Sequence, residues 1–182
     1  MKVYTSAVVI IPPKENWAPI QAIRKLYDRQ INRWMPHITM LYPFRPESEF
    51  SNLEKIFLEK CKNIKPFEIA LRNFNFFSHV REKYTIWLDP EPNESIISIQ
   101  ADLLKLVPNC DDVIKFKSGY KPHLSIGQIK GKIKLEKIIN RLQKNWIEVK
   151  FLINKIYFIS REQDKISKFE IRKSISFENK IK

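Results

Sequence analysis

Apolar positions along the chain switch repeatedly between the period of a strand and the period of a helix. Residues 3–11 alternate and then become continuously apolar, which predicts a central strand that ends at Pro12 and Pro13. Apolar residues three and four positions apart predict helices over about 16–30, 48–62, 94–107 and 132–145. Period-two stretches predict strands at 37–42, 67–78, 83–89 and 122–130, and two long strands at about 147–160 and 166–177.

The order of these elements is β-α-β-α-β-β-α-β-α-β-β. The short connection from Ser78 to Glu82 predicts a hairpin, and Ser48, or Ser51 with Glu54 three residues later, is a candidate cap for the second helix. The strands at 37–42 and 122–130 each follow one helix and precede another. We therefore predict a single α+β domain over 1–182, a duplicated, pseudo-symmetric fold of antiparallel sheets with helices packed outside and a cleft between its two lobes.

One short pattern occurs in both halves of the chain. Residues 34–40 and 120–126 both read aromatic, any residue, Pro, His, apolar, hydroxyl, apolar. Because strand side chains alternate between faces, His37 and Thr39 would share one face, and His123 and Ser125 would do the same in the second copy. The neighbouring apolar residues would anchor each copy in the core. The simpler alternative is two half-buried strand histidines satisfied by nearby hydroxyls.

Composition constrains the partners and the compartment only coarsely. The formal net charge is +13, which favours polyanions such as RNA, although scattered lysines could equally form a solvated surface. No run of about 18 apolar residues predicts a transmembrane helix, and the amino-terminal stretch reads as a strand rather than a signal peptide. Cys61 and Cys110 form no metal or redox motif. We expect a monomer without membrane contact in a reducing compartment, the cytoplasm or the nucleus.

Two histidines across one cleft suit acid-base catalysis at a phosphate. Imidazole titrates near neutral pH, so one ring can take a proton while the other donates one, and the two hydroxyls can donate hydrogen bonds to phosphate oxygens. This chemistry needs neither a metal nor a cofactor. The motifs lack a third ligand for zinc, and no nucleophile elbow or glycine-rich phosphate loop is present among only three glycines.

The paired segments Pro36-His37-Ile38-Thr39-Met40 and Pro122-His123-Leu124-Ser125-Ile126 resemble the two signatures of the 2H phosphoesterase superfamily. That group includes 2'-5' RNA ligase-like proteins and RNA 2',3'-cyclic phosphodiesterases. The resemblance follows the element order of nearly the whole chain and is closest around 34–44 and 108–128. It implies a basic cleft between two lobes, with His37 as proton donor, His123 as acceptor, and Thr39 and Ser125 on the phosphate. The donor and acceptor can exchange with the direction of reaction.

The residues that line the substrate are predicted from their places beside the motifs. Aromatic rings there could stack on a base, and polar side chains could touch phosphate or a base edge. These candidates are Tyr42, Phe44, Arg45, Tyr120, Lys121 and Gln128. For the aromatic rings, packing in the core or at its rim is the stronger alternative, and for the polar ones a solvated surface is equally compatible. His79, in the hairpin, matches neither motif and is interpreted as a surface residue.

The sequence thus predicts a metal-independent phosphodiesterase that opens 2',3'-cyclic phosphates on RNA ends or small nucleotides. Two alternatives stay within the same family: cleavage or ligation of 2'-5'-linked oligonucleotides, and a 3'-end RNA exonuclease. A further alternative is an RNA- or nucleotide-binding module without turnover, which the intact pair of histidines and hydroxyls disfavours.

Overall fold

A computed structural model describes residues 1–115, 119–164 and 166–178 of the chain. Within these residues eight strands and four α-helices form. The strands are β1 (Ser6–Ile10), β2 (Ile38–Leu41), β3 (Phe67–His79), β4 (Lys83–Glu91), β5 (Leu124–Lys130), β6 (Val149–Ile153), β7 (Lys155–Ser160) and β8 (Glu170–Ser176). The helices are α1 (Trp17–Tyr27), α2 (Phe50–Cys61), α3 (Glu94–Leu106) and α4 (Lys132–Asn145).

All eight strands belong to one antiparallel sheet with the order β6-β3-β4-β5-β2-β1-β7-β8. Among the described residues, the two halves of the sheet meet only where β2 pairs with β5, at Ile38 and Leu124. Each half is the lobe that the sequence predicted, but the lobes share one sheet and are not separate sheets. The α+β class and the antiparallel pairing are confirmed.

The two halves are related by an approximate twofold axis through the Ile38–Leu124 pair. The axis exchanges β5 with β2, β4 with β1, β3 with β7, and β6 with β8 in the strand order. Even the irregularities correspond, since β2 has one extra residue, Met40, opposite the step from Val8 to Val9, and β5 has one, Ile126, opposite the step from Ile86 to Trp87. β-Bulges of this kind bend a strand and redirect its side chains, so the same bend recurs within each motif strand.

The helices cross between the halves. Helix α1 follows β1 in sequence but packs on β5, whereas α3 follows β4 but packs on β2. Helices α2 and α4 lie over β8 and β3 respectively, so the apolar face of the sheet is covered in both lobes. The main core lies between these helices and the sheet, and a smaller cluster of Ala7, Val9, Ile11, Ile159 and Phe169 lies on the other face of the first lobe.

Two local predictions are wrong. The strand expected at 147–160 is divided into β6, which pairs with β3, and β7, which pairs with β1 and β8. Val149, Phe151 and Ile153 are buried in one phase of alternation and Ile156 and Phe158 in the other, so the phase changes at Asn154. The capping box is also absent, because α2 begins after Glu49 without a side-chain cap and Glu54 pairs with Lys173.

No helix in the described residues is long and apolar enough to cross a membrane.

Candidate active site

The two motif histidines stand immediately before their strands, at the place where the two halves of the sheet meet. Because Ile38 pairs with Leu124 in an antiparallel ladder, its continuation sets Thr39 opposite His123 and His37 opposite Ser125. Ile38 and Leu124 are fully buried, while the four motif residues are half-buried on the other face of the sheet. The predicted alternation is therefore present, and it gathers both histidines and both hydroxyls on one face.

Both imidazoles are held in the same way. His37 Nδ1 lies 2.7 Å from the carbonyl oxygen of Met35, and His123 Nδ1 lies 2.7 Å from that of Lys121. A carbonyl oxygen only accepts, so each ring donates its Nδ1–H to the backbone two residues earlier and keeps Nε2 for another partner. The local backbone of each Pro-His segment thus fixes the tautomer and the orientation of its ring.

The site favours neutral imidazoles. Burial lowers the pKa of His37 to about 4, with smaller lowering contributions from the charges of Arg24 and His123, against raising contributions from the hydrogen bond to Met35 and the charge of Asp28. Burial likewise lowers the pKa of His123, and the positive charge of Lys121 adds to that effect, while its hydrogen bond to the Lys121 carbonyl opposes it. Because a charge on His123 also lowers the pKa of His37, the His37 ring does not titrate independently of its partner.

Aromatic rings enclose both histidines. The Trp34 ring stacks on His37 with centroids 4.6 Å apart, and it also stacks on Phe169 at 3.7 Å. His123 meets the edges or faces of Phe77 and Trp87 at 4.9 Å and 5.9 Å. Trp87 pairs with Ser125 across the sheet and is almost completely buried. These rings restrict the orientation of the imidazoles and remove water from around them.

A pocket of about 390 Å³ opens beside His123. Its lining includes Thr39, His79, Thr85 and Lys121, together with the apolar surfaces of Phe77, Val113 and Tyr120. The Tyr120 hydroxyl donates to the carbonyl oxygen of Thr39 over 2.8 Å and lies against the Met40 sulfur, which ties the two motifs together. Lys121 extends its ammonium over the Trp87 ring, 4.9 Å from the centroid.

The remaining predicted lining residues lie elsewhere. Phe44 is fully buried and packs against Phe50, Phe57 and Phe158, so it is a core residue. The Arg45 guanidinium pairs with Glu49 at 2.7 Å. Tyr42 packs edge-on against Trp34 and Tyr4 in the smaller cluster, and it does not line the pocket beside His123. Phe44 and Arg45 follow the end of β2 at Leu41, and their side chains contact the core and Glu49 instead of the pocket beside His123.

Gln128 lies on the same strand as the second motif but contacts the end of α1. Its Nε2 donates to Asp28 Oδ1 over 3.1 Å, and its Oε1 accepts from the backbone N–H of Arg29. Gly127, next to it, admits this close approach, because a Cβ there would stand 2.4 Å from the Cβ of Tyr27. Gln128 therefore joins the loop before the first motif to the strand of the second.

Several residues around the histidines and the pocket were not predicted from the sequence. Thr85 and Trp87 come from β4, whose alternating sequence Lys-Tyr-Thr-Ile-Trp-Leu-Asp carried the signal that they share one face. His79 is exposed, as predicted, yet it lines the pocket and bonds through Nε2 to the Thr85 hydroxyl at 2.9 Å. Among residues 1–115, 119–164 and 166–178, no group of three or more His, Cys, Asp and Glu side chains could hold a metal ion.

Comparison with known proteins identifies the family. The family model of the 2'-5' RNA ligase superfamily matches residues 12–165. A putative phosphoesterase of Bacillus pumilus is 27% identical over 145 residues, which cover 72% of this chain and 79% of the relative. An RNA 2',3'-cyclic phosphodiesterase of Methanothermobacter thermautotrophicus is 27% identical over 106 residues, 53% of each protein.

Solved structures agree on the fold. The crystal structure of E. coli LigT complexed with 3'-AMP superposes with a TM-score of 0.64 at 11% identity and covers 97% of this chain and 99% of that chain. TT0787 of Thermus thermophilus gives a TM-score of 0.61 at 15% identity, with 97% and 99% coverage. The family match over most of the sequence, the shared fold and the paired motifs lead to one conclusion. The chain belongs to the 2'-5' RNA ligase superfamily of 2H phosphoesterases.

Proposed function

We propose that this protein is a metal-independent phosphodiesterase that opens 2',3'-cyclic phosphates on RNA ends or small nucleotides, with His37 and His123 as its acid and base. The observation that carries the proposal is the matched pair of imidazoles, each with Nδ1 tied to a backbone carbonyl and each on the cleft face. A relative named RNA 2',3'-cyclic phosphodiesterase adds support for this linkage.

The reaction is an in-line displacement at phosphorus. One neutral imidazole takes a proton from water as the water oxygen bonds to phosphorus. The other imidazole, protonated, donates its proton to the ribose O3' as the bond between phosphorus and O3' breaks, which leaves a 2'-phosphate. The proton gained by the base and the proton lost by the acid balance, so the enzyme returns to its starting state after proton exchange with solvent.

The phosphate itself supplies the charge that the site needs. In the free protein burial lowers the pKa of both imidazoles, which disfavours the protonated acid. An anionic phosphate between the two rings favours a protonated imidazole and raises both pKa values. Thr39 and Ser125 stand opposite His123 and His37, where their hydroxyls donate to the non-bridging oxygens whose negative charge grows in the transition state.

The test is hydrolysis of a substrate panel in excess EDTA. It contains 2',3'-cyclic mononucleotides, an RNA with a 2',3'-cyclic end, 2'-5'-linked oligonucleotides and RNA with a free 3' end. We expect the cyclic phosphates to be opened to 2'-phosphates without added metal. Turnover of only the 2'-5' linkage or only the free 3' end would replace the proposal with that alternative, and loss of activity in EDTA with rescue by zinc or manganese would refute metal independence.

Variants of the two histidines separate catalysis from binding. His37→Ala and His123→Ala should each lower kcat/KM by roughly 10²–10⁴-fold, because each removes a proton-transfer group. The double variant should lose far less than the product of the two losses, because both act in one transition state. A substrate with a very good leaving group should rescue only the variant that lacks the acid, expected to be His37→Ala. Full activity in both single variants would refute the paired-histidine mechanism.

A further inference from the structure

A band of exposed cationic side chains lies outside the active site, from the end of α1 across β5 to α4. It comprises Arg29, Lys130, Lys132, Lys134, Lys137 and Arg141, all exposed. Within the described residues, no carboxylate forms an ion pair with any of them, and Arg141 donates instead to the Tyr27 hydroxyl. Elsewhere on the surface cations do pair, for example Arg72 with Glu148 and Lys60 with Asp102.

These side chains line a groove. One part, of about 730 Å³, runs along the first turns of α4 past Lys132, Lys137 and Arg141. A second part, of about 410 Å³, lies between the end of α1 and β5, beside Arg29 and Lys130. Both parts share Tyr27 and Lys134 and are therefore adjacent, and we call them together the basic groove. Its floor is partly apolar, since Tyr27 and Ile138 line the α4 part.

The basic groove adjoins the active-site pocket. Thr85 lines that pocket, and its direct partner across the sheet is Gln128, which lines the second part of the groove. Two residues further along the same ladder, about 7 Å at the rise of a strand, Lys83 pairs with Lys130. A chain that leaves the pocket past Thr85 and Gln128 therefore meets Lys130 at the near end of the groove.

The clustering has an electrostatic cost that a bound polyanion would remove. Unpaired like charges within a Debye length of about 8–10 Å repel one another, and anions of the same spacing are attracted to such a surface. Helix α4 carries four of these cations and one acidic residue, Glu136. The lysines of this helix are therefore not the balanced mixture of charges typical of a solvated surface helix.

We propose that the basic groove binds the sugar-phosphate backbone of single-stranded RNA whose 3'-terminal nucleotide occupies the pocket beside His123. The inference rests on the proposed function, since a 2',3'-cyclic phosphate ends an RNA strand and the rest of that strand must leave the pocket. It names polymeric RNA, rather than a free cyclic nucleotide, as the substrate class. Lys and Arg contacts to phosphate supply affinity without selecting a sequence.

The experiment compares two triple charge reversals. Lys132→Glu/Lys134→Glu/Lys137→Glu changes the groove, and a glutamate in the first turn of α4 also suits the helix dipole, so the variant should fold. Lys14→Glu/Lys55→Glu/Lys65→Glu changes the net charge equally at exposed lysines remote from the groove. Both are assayed on an RNA with a 2',3'-cyclic end and on a 2',3'-cyclic mononucleotide. Binding of the same RNA and of heparin is measured over a range of salt concentrations.

We expect the groove variant to lose at least about tenfold in RNA affinity and in kcat/KM on RNA, and to retain hydrolysis of the mononucleotide. Its slope of log affinity against log salt should shrink by about 2, because each lost contact to single-stranded RNA removes about 0.7. The remote variant should keep the slope. Equal losses in both variants, no loss in either, or a loss for heparin equal to that for RNA would overturn the proposal.

These outcomes remain distinct from a failure of the proposed function. If the wild type hydrolyses no cyclic phosphate at all, the RNA-binding measurements still compare the two variants. A groove-specific loss of binding would then stand, while the assignment of the bound strand as a cyclic-phosphate substrate would be overturned.

Discussion

His37 and His123 are held by the same kind of backbone hydrogen bond, but burial, and not this bond, decides that the pKa of each ring is lowered. Each Nδ1–H is fixed by a carbonyl two residues earlier, and burial then lowers the pKa of each ring. At neutral pH the free protein therefore carries two neutral imidazoles. The singly protonated pair that the mechanism requires is most populated at a pH below the usual value of about 6.5 for histidine.

The pH profiles of kcat/KM and kcat should consequently differ. The profile of kcat/KM follows the free enzyme and should be bell-shaped with its maximum below about pH 6.5. The profile of kcat follows the bound complex, in which the anionic phosphate raises both pKa values, so its maximum should lie at higher pH. Steady-state kinetics on a 2',3'-cyclic mononucleotide between about pH 4 and 9 measures both profiles.

Thr39→Val and Ser125→Ala supply the control for this prediction. Neither hydroxyl titrates near neutral pH, so both variants should lower the rate and leave the position of each maximum unchanged. A maximum of kcat/KM above about pH 8, or a profile without two limbs, would contradict the coupled pair of histidines.

At the scale of single residues, the sequence predicted the four motif side chains but not the residues that pack around them. The repeated Pro-His-apolar-hydroxyl pattern predicted which four side chains share a face, because strand alternation is a local property. Phe44 shows the limit of that reasoning. It follows the first motif by only a few residues, but it leaves the cleft face and packs among Phe50, Phe57 and Phe158, contacts that strand alternation does not specify.

Helix α1 illustrates what periodicity misses at the scale of an element. The spacing of its apolar residues predicted a buried stripe, and Ile20 and Ile23 are buried, but Leu26 is largely exposed. Arg24 is buried instead, with 2% of its surface exposed. It pairs with Asp28 at 2.8 Å and donates to the carbonyl oxygen of Trp34 at 2.8 Å. A hydrophobicity pattern cannot predict a buried ion pair, because it treats every arginine as solvated.

This ion pair connects α1 to the loop before His37. Asp28 also accepts hydrogen bonds from the Gln30 backbone and from Gln128, so both motif segments depend on one carboxylate. Trp34, whose carbonyl Arg24 holds, stacks on His37. Arg24 and Asp28 are positioning residues, since they act on the site through Trp34 and Gln128 and do not line the pocket beside His123.

Asp28→Asn should therefore affect both stability and the pH profile. It leaves the Arg24 charge buried without its counter-ion, which costs about 3–5 kcal/mol in the free energy of unfolding. It also removes a charge that raises the pKa of His37, so the acidic limb of kcat/KM should move to lower pH. Urea unfolding and the kinetic profile measure the two effects.

Two further variants control this prediction. Lys25→Met changes an exposed neighbour on α1 and should stay within about 0.5 kcal/mol of the wild type. Arg24→Met combined with Asp28→Leu replaces both charges and should cost less than either single change, because no buried charge is left unpaired. If Asp28→Asn changes the free energy of unfolding as little as Lys25→Met does, and leaves the pH profile of kcat/KM unchanged, the Arg24–Asp28 ion pair has no such positioning role.

The whole molecule is a duplicated fold whose halves are interleaved along the chain. The sequence predicted the duplication, because the two motif strands each stand between helices. It did not predict that α1 and α3 cross to the opposite half, since helix packing depends on contacts far apart in sequence. The sequence pattern also predicted one undivided strand over 147–160. The change in the phase of alternation at Asn154 was nevertheless present in the sequence, and it marks the point where the chain stops pairing with β3 and begins to pair with β1.

Interleaving leads us to propose that the protein is one domain and unfolds as one cooperative unit. The half that contains β1 and β2 is completed by β7 and β8 from the other end of the chain, and each half is covered by a helix that follows a strand of the other. Neither half can therefore keep its full core while the other is unfolded. Hydrogen exchange measured at rising urea should give the same unfolding free energy for slow amides of β1 and β4.

Matched core variants in the two halves sharpen this prediction. Ile156 in β7 and Ile86 in β4 are both fully buried, so each change to alanine should cost about 2–5 kcal/mol. If the halves are one cooperative unit, Ile156→Ala must lower the free energy reported by amides of β4 as much as that reported by β1, and Ile86→Ala must do the same in reverse. A loss confined to the half that carries the substitution would mean that the lobes unfold separately, and that the single sheet joins two independent units at the Ile38–Leu124 pair.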